Sequence, residues 1–279
     1  MERVYIMTCL RSVVCLLSLT ILSNTCVAEP TAKIKSAAKK VSQIVAHRGA
    51  SAQRPEGTLV CYRKAIKDGA TAIEIDVRTT KDGVLVSLHD ASLDRTTNGS
   101  GPIEKINSTD LKKLDAGSWF DAKYKSEHVP TIREILKLAK GKIDVLLDLK
   151  ETGSTYTAKV VGEIRKHGEP KRIIVGVRSV EQAKQFRKLL PEAQQIGLIP
   201  DTKSIEAFAA TGTETIRLWP RWLTDEKLVP RVRAAGAKLH LNGRTGTKEE
   251  IIPLLNHAPD SLSSDNPERL LLTLKNLGR

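Results

Sequence analysis

From residue 44 onward, short apolar runs alternate with longer segments whose apolar residues recur every three or four positions. The runs at 44–46, 72–77, 143–149, 173–177, 195–199, 215–219, 237–241 and 261–264 have the length and composition of buried strands. The segments between them read as helices. One opens at Pro55, carries Leu59, Tyr62 and Ile66 on one stripe and stops at Gly69. Another runs from Pro130 and Thr131 to Gly141, with Ile132, Ile135, Leu136 and Leu138 towards the core. Further helices fall near 157–167, 180–190, 203–210, 224–235 and 247–256, with a last one from Pro267. Ser179, Thr224 and Thr247 are the expected N-caps, and Pro230 and Pro253 leave two helix boundaries open. Such alternation predicts a parallel sheet covered by helices. Eight strands over about 240 residues match the (β/α)8 TIM barrel, which typically takes roughly 250. A doubly wound open sheet is the alternative, but no glycine-rich phosphate loop follows the first run.

The second run continues into a hairpin, so that residues 72–90 read AIEIDVRTTKDGVLVSLHD. Glu74 and Asp76, two apart on a strand, share one face. Like charges on an otherwise apolar strand are costly unless neutralised, and a divalent cation held by oxygen ligands is the usual answer. Asp82-Gly83 signals a two-residue turn. Its pairs then sum to 165, which sets Asp76 opposite His89. A parallel crossover needs a dozen or more residues, so the strand at 84–88 is an antiparallel excursion beside the eight. A surface hairpin with a solvated acidic face remains the competing reading of this stretch.

The ends of the chain read differently. Arg3 and Arg11 precede a mostly apolar run at 13–22, and Cys26-Val27-Ala28 resembles a cleavage site, so residues 1–28 are expected to be a secretory signal peptide. Residues 29–43 are polar and basic and are expected to form a flexible lead-in to a single domain at 44–279. Export to the periplasm or the medium follows. Cys61 is then the one cysteine of four outside the signal, so the mature chain closes no internal disulfide.

The net charge of +13 falls to +12 without the signal, which carries two arginines and one glutamate. The basic residues are spread along the chain, and aromatics make up only 4%. Nucleic-acid binding is therefore not expected. A small anionic substrate is, and peripheral contact with an anionic membrane surface stays open. Oligomeric state leaves no mark on the sequence.

In a TIM barrel the active site collects at the carboxyl ends of the strands. Residues placed there are His47 and Arg48 after the first strand, Glu74 and Asp76 on the second, His89 on the hairpin, and Asp148 and Lys150 on the next. Each alone has a plain structural explanation; their convergence on one rim does not. His128, His167 and His257 fall in connections or helix ends and are expected in solvent, while His240 could face either side of its strand.

The chain resembles the glycerophosphodiester phosphodiesterase family through His47-Arg48-Gly49, Pro55-Glu56 with Thr58, Glu74-Ile75-Asp76, Lys81-Asp82-Gly83 and His89-Asp90. Leu93-Asp94-Arg95-Thr96-Thr97-Asn98-Gly99 extends the match, and Ser264-Asp265-Asn266-Pro267 resembles the family's closing strand. The resemblance implies a hydrolase that splits glycerophosphodiesters into glycerol 3-phosphate and an alcohol. It maps a divalent ion, Mg2+ or Ca2+, onto Glu74, Asp76 and Asp148, acid–base work onto His47 and His89, and phosphate binding onto Arg48 and Lys150. Glu56 lies beside them in a supporting position. Three positions depart from the family: Gly57 stands for asparagine, Asp148 for glutamate, and Leu239-His240-Leu241-Asn242 for Trp-Thr-Val-Asn. Trp219 and Trp222 could fill the wall altered by the last. Two further readings stay open: a phosphodiesterase acting on lysophospholipid or sphingolipid headgroups, and a non-catalytic barrel that binds anionic surfaces.

Overall fold

The computed structural model describes Met1 and residues 30–279. The signal-peptide reading lies outside the described residues, Met1 apart. Among the described residues nine strands form one sheet: β1 (Gln43–Ala46), β2 (Ala72–Thr79), β3 (Leu85–Ser87), β4 (Asp144–Leu149), β5 (Ile173–Val177), β6 (Gln194–Gly197), β7 (Thr215–Leu218), β8 (Lys238–Asn242) and β9 (Ser261–Ser264). All but β3 pair in parallel, and β1 pairs with both β9 and β2, which closes an eight-stranded barrel. The expected architecture is the one observed.

Among the described residues ten α-helices accompany the strands: α1 (Ala32–Lys40), α2 (Leu59–Lys67), α3 (Ser108–Leu111), α4 (Ile132–Ala139), α5 (Ser154–His167), α6 (Val180–Leu189), α7 (Ile205–Ala209), α8 (Leu228–Ala234), α9 (Lys248–Leu255) and α10 (Pro267–Leu277). None among the described residues is long and apolar enough to cross a membrane. Alternate strand residues divide the core in two. Ile73, Ile75, Val77, Leu147 and Leu149 point out to the helices and join the large cluster there. Val45, Ala72, Leu146, Ile174, Ile196 and Leu198 form a separate apolar cluster that plugs the interior beneath the rim. Trimming a side chain such as Leu147, fully buried, to alanine costs about 2–5 kcal/mol.

Four expectations are corrected. From residue 31 the lead-in is helical and packed: Thr31 caps α1, and Ile34, with Ala37 and Ala38 three and four residues on, buries against the core beside α9 and α10. Its many lysines hid that stripe. The helix expected at Pro55 begins at Leu59 instead, because the Thr58 side chain accepts from the Cys61 N–H. Thr224 caps nothing; α8 starts at Leu228, which puts Pro230 in its first turn, where a missing N–H costs little.

The fourth correction concerns the hairpin. Its pairs are Val77 with Ser87, Arg78 with Val86 and Thr79 with Leu85, a sum of 164. The turn holds three residues, with Gly83 in the left-handed region at φ 83° and its N–H donating to the Thr80 carbonyl at 2.9 Å. Asp76 therefore lies opposite Leu88, whose N–H donates to the Asp76 carbonyl at 3.0 Å, and His89 is one residue further on. The connection that follows has its own small core, built on Val86, Leu88, Leu93, Ile103, Leu111, Ala116 and Val129.

Candidate active site

The inward-facing positions at the carboxyl ends of the strands converge on one cavity of about 500 Å³. Its lining includes His47 and Arg48 after β1, Glu74 and Asp76 of β2, His89 after β3, and Asp148 and Lys150 at the end of β4. All seven residues expected at the rim are brought together. On the opposite side Arg178, Arg217, Trp219, His240, Asn242 and Ser263 line the same space. Trp222 packs against the main core instead and takes no part.

Glu74, Asp76 and Asp148 are buried, and one carboxylate oxygen from each lies within 4.8 Å of the others. Asp148, one methylene shorter than the family's glutamate, still reaches the cluster. The Lys150 ammonium sits between Asp76 and Asp148, at 2.8 and 2.6 Å, and Arg178 forks onto Asp148 at 2.5 and 2.8 Å. Burial works against the Asp148 charge, but Lys150 and Arg178 outweigh it and hold its carboxyl below the usual range. Glu74 has no such escort. It accepts from the Arg48 backbone N–H at 2.8 Å, and burial together with the neighbouring Asp76 charge pushes it up to about 8. An all-oxygen, buried cluster with one under-compensated carboxylate has the chemistry that could hold a hard divalent cation.

Each histidine is held by an aspartate. His47 Nδ1 lies 2.7 Å from Asp265 Oδ1, and His89 Nδ1 lies 2.7 Å from Asp90 Oδ1. With Nδ1 engaged, Nε2 is the ring atom left for a substrate. Burial would pull the His47 imidazole down, yet the Asp265 hydrogen bond and the Glu74 charge raise it above its ordinary value. Arg78 fixes the other histidine's backbone by donating to the His89 carbonyl at 3.0 and 2.8 Å. That anchor sets the imidazole at the rim despite the shifted hairpin register.

A chain of ion pairs ties the two sides together. Arg95 donates to Asp90 at 2.6 Å and to both oxygens of Glu56 at 2.9 and 2.8 Å, and Arg48 donates to Glu56 at 3.0 Å. Burial opposes the Glu56 charge, but these two arginines keep its carboxyl below the usual range. Arg48 itself sits at φ 56°, a conformation that costs a non-glycine residue energy. Its strain is held in place by the backbone bond to Glu74 and the side-chain bond to Glu56. Gly57, at φ 73°, donates its N–H to the Arg48 carbonyl at 3.1 Å. Asparagine visits that region more readily than most non-glycine residues, so this departure keeps the backbone and forgoes a side-chain contact.

The far side is different in kind. His240 faces the barrel interior, bonds Ser261 Oγ at 2.7 Å and is kept neutral by burial, which pushes it down to about 3. Arg217 Nε, Asn242 Oδ1 and Ser263 Oγ are buried without a hydrogen-bond partner. The sequence reading assigned no role to Asp265, Asp90, Arg95, Arg178 or Arg217. The first three lie inside the motifs already quoted, and Asp90 directly follows His89. Arg217 could have been found from strand period alone, two before Trp219 on the same face. Arg178 follows β5 in a loop and carries no pattern. His128 and His167 lie away from the cavity, and their Nε2 atoms are buried, not solvated as expected.

Residues 47–268 match the glycerophosphoryl diester phosphodiesterase family. A glycerophosphodiester phosphodiesterase of Caldanaerobacter subterraneus subsp. tengcongensis is 31% identical over 234 residues, covering 82% of this chain and 96% of that protein. One from Bacillus subtilis is 32% identical over 218 residues, covering 70% and 74%. Among solved structures, the glycerophosphodiester phosphodiesterase of Agrobacterium tumefaciens superposes with a TM-score of 0.73 at 29% identity, over 82% of this chain and 99% of that one. An Oleispira antarctica phosphodiesterase in complex with the product sn-glycerol-3-phosphate superposes with a TM-score of 0.72 at 25% identity, over 86% and 98%.

Proposed function

The chain belongs to the glycerophosphoryl diester phosphodiesterase family, and from that premise we propose that it hydrolyses glycerophosphodiesters to glycerol 3-phosphate and an alcohol by two-histidine acid–base catalysis beside a divalent cation. The observation that carries this reading is the pair of aspartate-held imidazoles facing the Glu74, Asp76 and Asp148 cluster in one cavity. Glu74, Asp76 and Asp148 would hold Mg2+ or Ca2+, which would offset the charge of the phosphodiester and so admit a nucleophile.

The chain's own residues do the rest. Hydrolysis needs one proton removed from the nucleophile and one delivered to the leaving alkoxide. Two imidazoles with reference values near roughly 6.5 suit those transfers around neutral pH. Asp265 and Asp90 orient His47 and His89 so that Nε2 does the exchange. Arg48 and Lys150, both on the cavity wall, bind the phosphate oxygens, and Glu56 holds Arg48 in its strained pose. The apolar plug below the rim closes the cavity floor to bulk water.

The test is glycerol 3-phosphate release from glycerophosphocholine and glycerophosphoethanolamine, with Mg2+, with Ca2+ and after chelation, beside His47→Ala. We expect release that needs one of the two ions and falls by about 100-fold or more in the variant. Release that survives both chelation and His47→Ala would sink the mechanism. Export rests on the amino-terminal pattern alone, and cell fractionation checks it.

A further inference from the structure

Five basic side chains line the cavity against three carboxylates. Four of the five have carboxylate company. Lys150 and Arg178 are bound to Asp148, Arg48 to Glu56, and Arg244, largely exposed, lies 3.7 Å from Asp265. Arg217 stands apart. It is only 8% exposed, yet its guanidinium donates no hydrogen bond to any described residue, and its Nε is buried without a partner. Its charge rests on the face of Trp219, 4.0 Å from the ring centroid. Burial pushes it down to about 10, against the pull of Asp148, so at neutral pH it remains a buried cation. His240, its neighbour in register on β8, is neutral and offers no counter-charge.

A buried guanidinium without an acceptor is costly unless something else supplies one. Within the activity proposed above, on which this inference rests, the scissile phosphate already has Arg48 and Lys150. The glycerol half of the substrate carries only hydroxyls, which suit the free Asn242 Oδ1 and Ser263 Oγ. The leaving alcohol is the part of the substrate left to offer Arg217 a negatively charged acceptor. We propose that Arg217, stacked on Trp219, is a specificity residue that binds a phosphate-type anion on the leaving alcohol, so that the enzyme prefers glycerophosphodiesters whose headgroup carries a further negative charge.

The stacking also argues against the opposite preference. A bare indole at the cavity wall would attract a quaternary ammonium. Here Arg217 covers the Trp219 face and Arg221 lies 5.1 Å from the same centroid. A choline headgroup in the cavity would meet the Arg217 cation in place of an open ring.

The experiment compares initial glycerol 3-phosphate release from three substrates that differ in the leaving alcohol. Glycerophosphocholine offers a cationic alcohol, glycerophosphoglycerol a neutral one, and bis(glycerophospho)glycerol one bearing a second phosphodiester. For the unmodified protein we expect kcat/KM to be highest on bis(glycerophospho)glycerol, by roughly 10-fold or more over the cationic substrate. Arg217→Gln should lower kcat/KM on the anionic substrate by about 10- to 100-fold, at least about ten times more than on the neutral one, and Arg217→Lys should restore part of it. Equal losses on all three substrates would make Arg217 a ligand of the scissile phosphate or a structural group, and would overturn the proposal. So would hydrolysis by the unmodified protein without an anionic preference, a result that holds even if neither variant folds. No hydrolysis of any of the three with Mg2+ or Ca2+ would overturn the function itself, and this inference with it.

Discussion

Along the arc from β1 through β4, the charged side chains of the rim have found partners within the protein. Lys150 bridges two carboxylates, Asp265 and Asp90 hold the imidazoles, and Glu56 binds two arginines. Across the same mouth, from β7 to β9, Arg217, Asn242 and Ser263 present polar atoms that bond to nothing. The first arc is preorganised, as a site that must stabilise developing charge without rearranging should be. The second leaves buried polar atoms that the folded chain itself does not satisfy. On the function proposed above, chemistry common to every phosphodiester would fall to the first, and discrimination between headgroups to the second.

The strongest way to break that division is to disturb Glu74, the one carboxylate of the first arc that its neighbours leave under-compensated. Glu74→Gln should lower turnover on the order of 1000-fold whatever the headgroup. It should also change stability in a telling direction. In the metal-free chain Glu74 sits at about 8, against an ordinary 4.5. The folded state then keeps a proton that the unfolded state has already released, so stability falls as pH rises from roughly 4.5 to 8. Denaturant midpoints measured across that window in chelator should slope downward for the parent chain and be flatter for Glu74→Gln.

Next in size is Asp265→Asn, which keeps the shape but loses the charge behind His47. We expect turnover to drop by roughly 100-fold with KM little changed. Because Asp265 helps to raise the His47 imidazole, the limb of the pH–rate profile that reports His47 should move to lower pH. An unmoved limb would leave Asp265 a merely structural residue.

The two arcs were not equally legible. The first announces itself: Glu74 and Asp76 break an apolar strand, and His47-Arg48-Gly49 and His89-Asp90 are short motifs whose spacing survives in one dimension. Even there the hairpin register slipped by one, because Asp82-Gly83 is shared by two- and three-residue turns. The Arg78 anchor on the His89 carbonyl cannot be seen in a linear string. The second arc has no motif. Arg217, Asn242 and Ser263 are ordinary polar residues on short strands, and only barrel closure shows that they share a cavity and lack partners. The core was readable for the opposite reason, since strand and helix periods are local. Helix α1 was missed where lysines outnumbered the apolar residues on its stripe.

Ser263→Ala sharpens the comparison from the other side. Its hydroxyl is 2% exposed as a residue and has no partner, so deleting it removes a buried polar group that the folded chain leaves unsatisfied. Stability should hold or rise slightly, while KM rises by about five-fold, the value of roughly one hydrogen bond. Asp265→Asn should do the reverse to stability and lower it. Two substitutions two residues apart, one in β9 near its carboxyl end and one just beyond it, would then shift melting temperature in opposite directions, which parallel thermal melts can read.

The smallest expected effect asks whether the first arc stands without distant support, since His89 rides on the hairpin. At the hairpin tip Asp82 accepts from Thr80 Oγ1 at 2.6 Å, from the Ser108 N–H at 2.9 Å and from Ser108 Oγ at 2.7 Å. It thereby ties the turn to the first turn of α3, whose own N-cap, Asn107, makes no side-chain bond. The hydrogen bonds from Thr80 and Ser108 hold its carboxyl down to about 2. A carboxylate depressed in the folded state stabilises fully above its unfolded value of roughly 4, and that contribution fades as pH falls towards 2. The group is exposed, so water and salt screen much of it. Asp82→Ala should lower the melting temperature at pH 7 by about 2–4 °C, the equivalent of roughly 1 kcal/mol in a domain of this size. The gap from the parent should narrow below about pH 4 and close as the pH reaches about 2. Turnover should stay within about two-fold, because Arg78 and Asp90, not the hairpin tip, fix the imidazole. A larger fall in turnover would mean that the preorganised arc borrows its order from the hairpin tip.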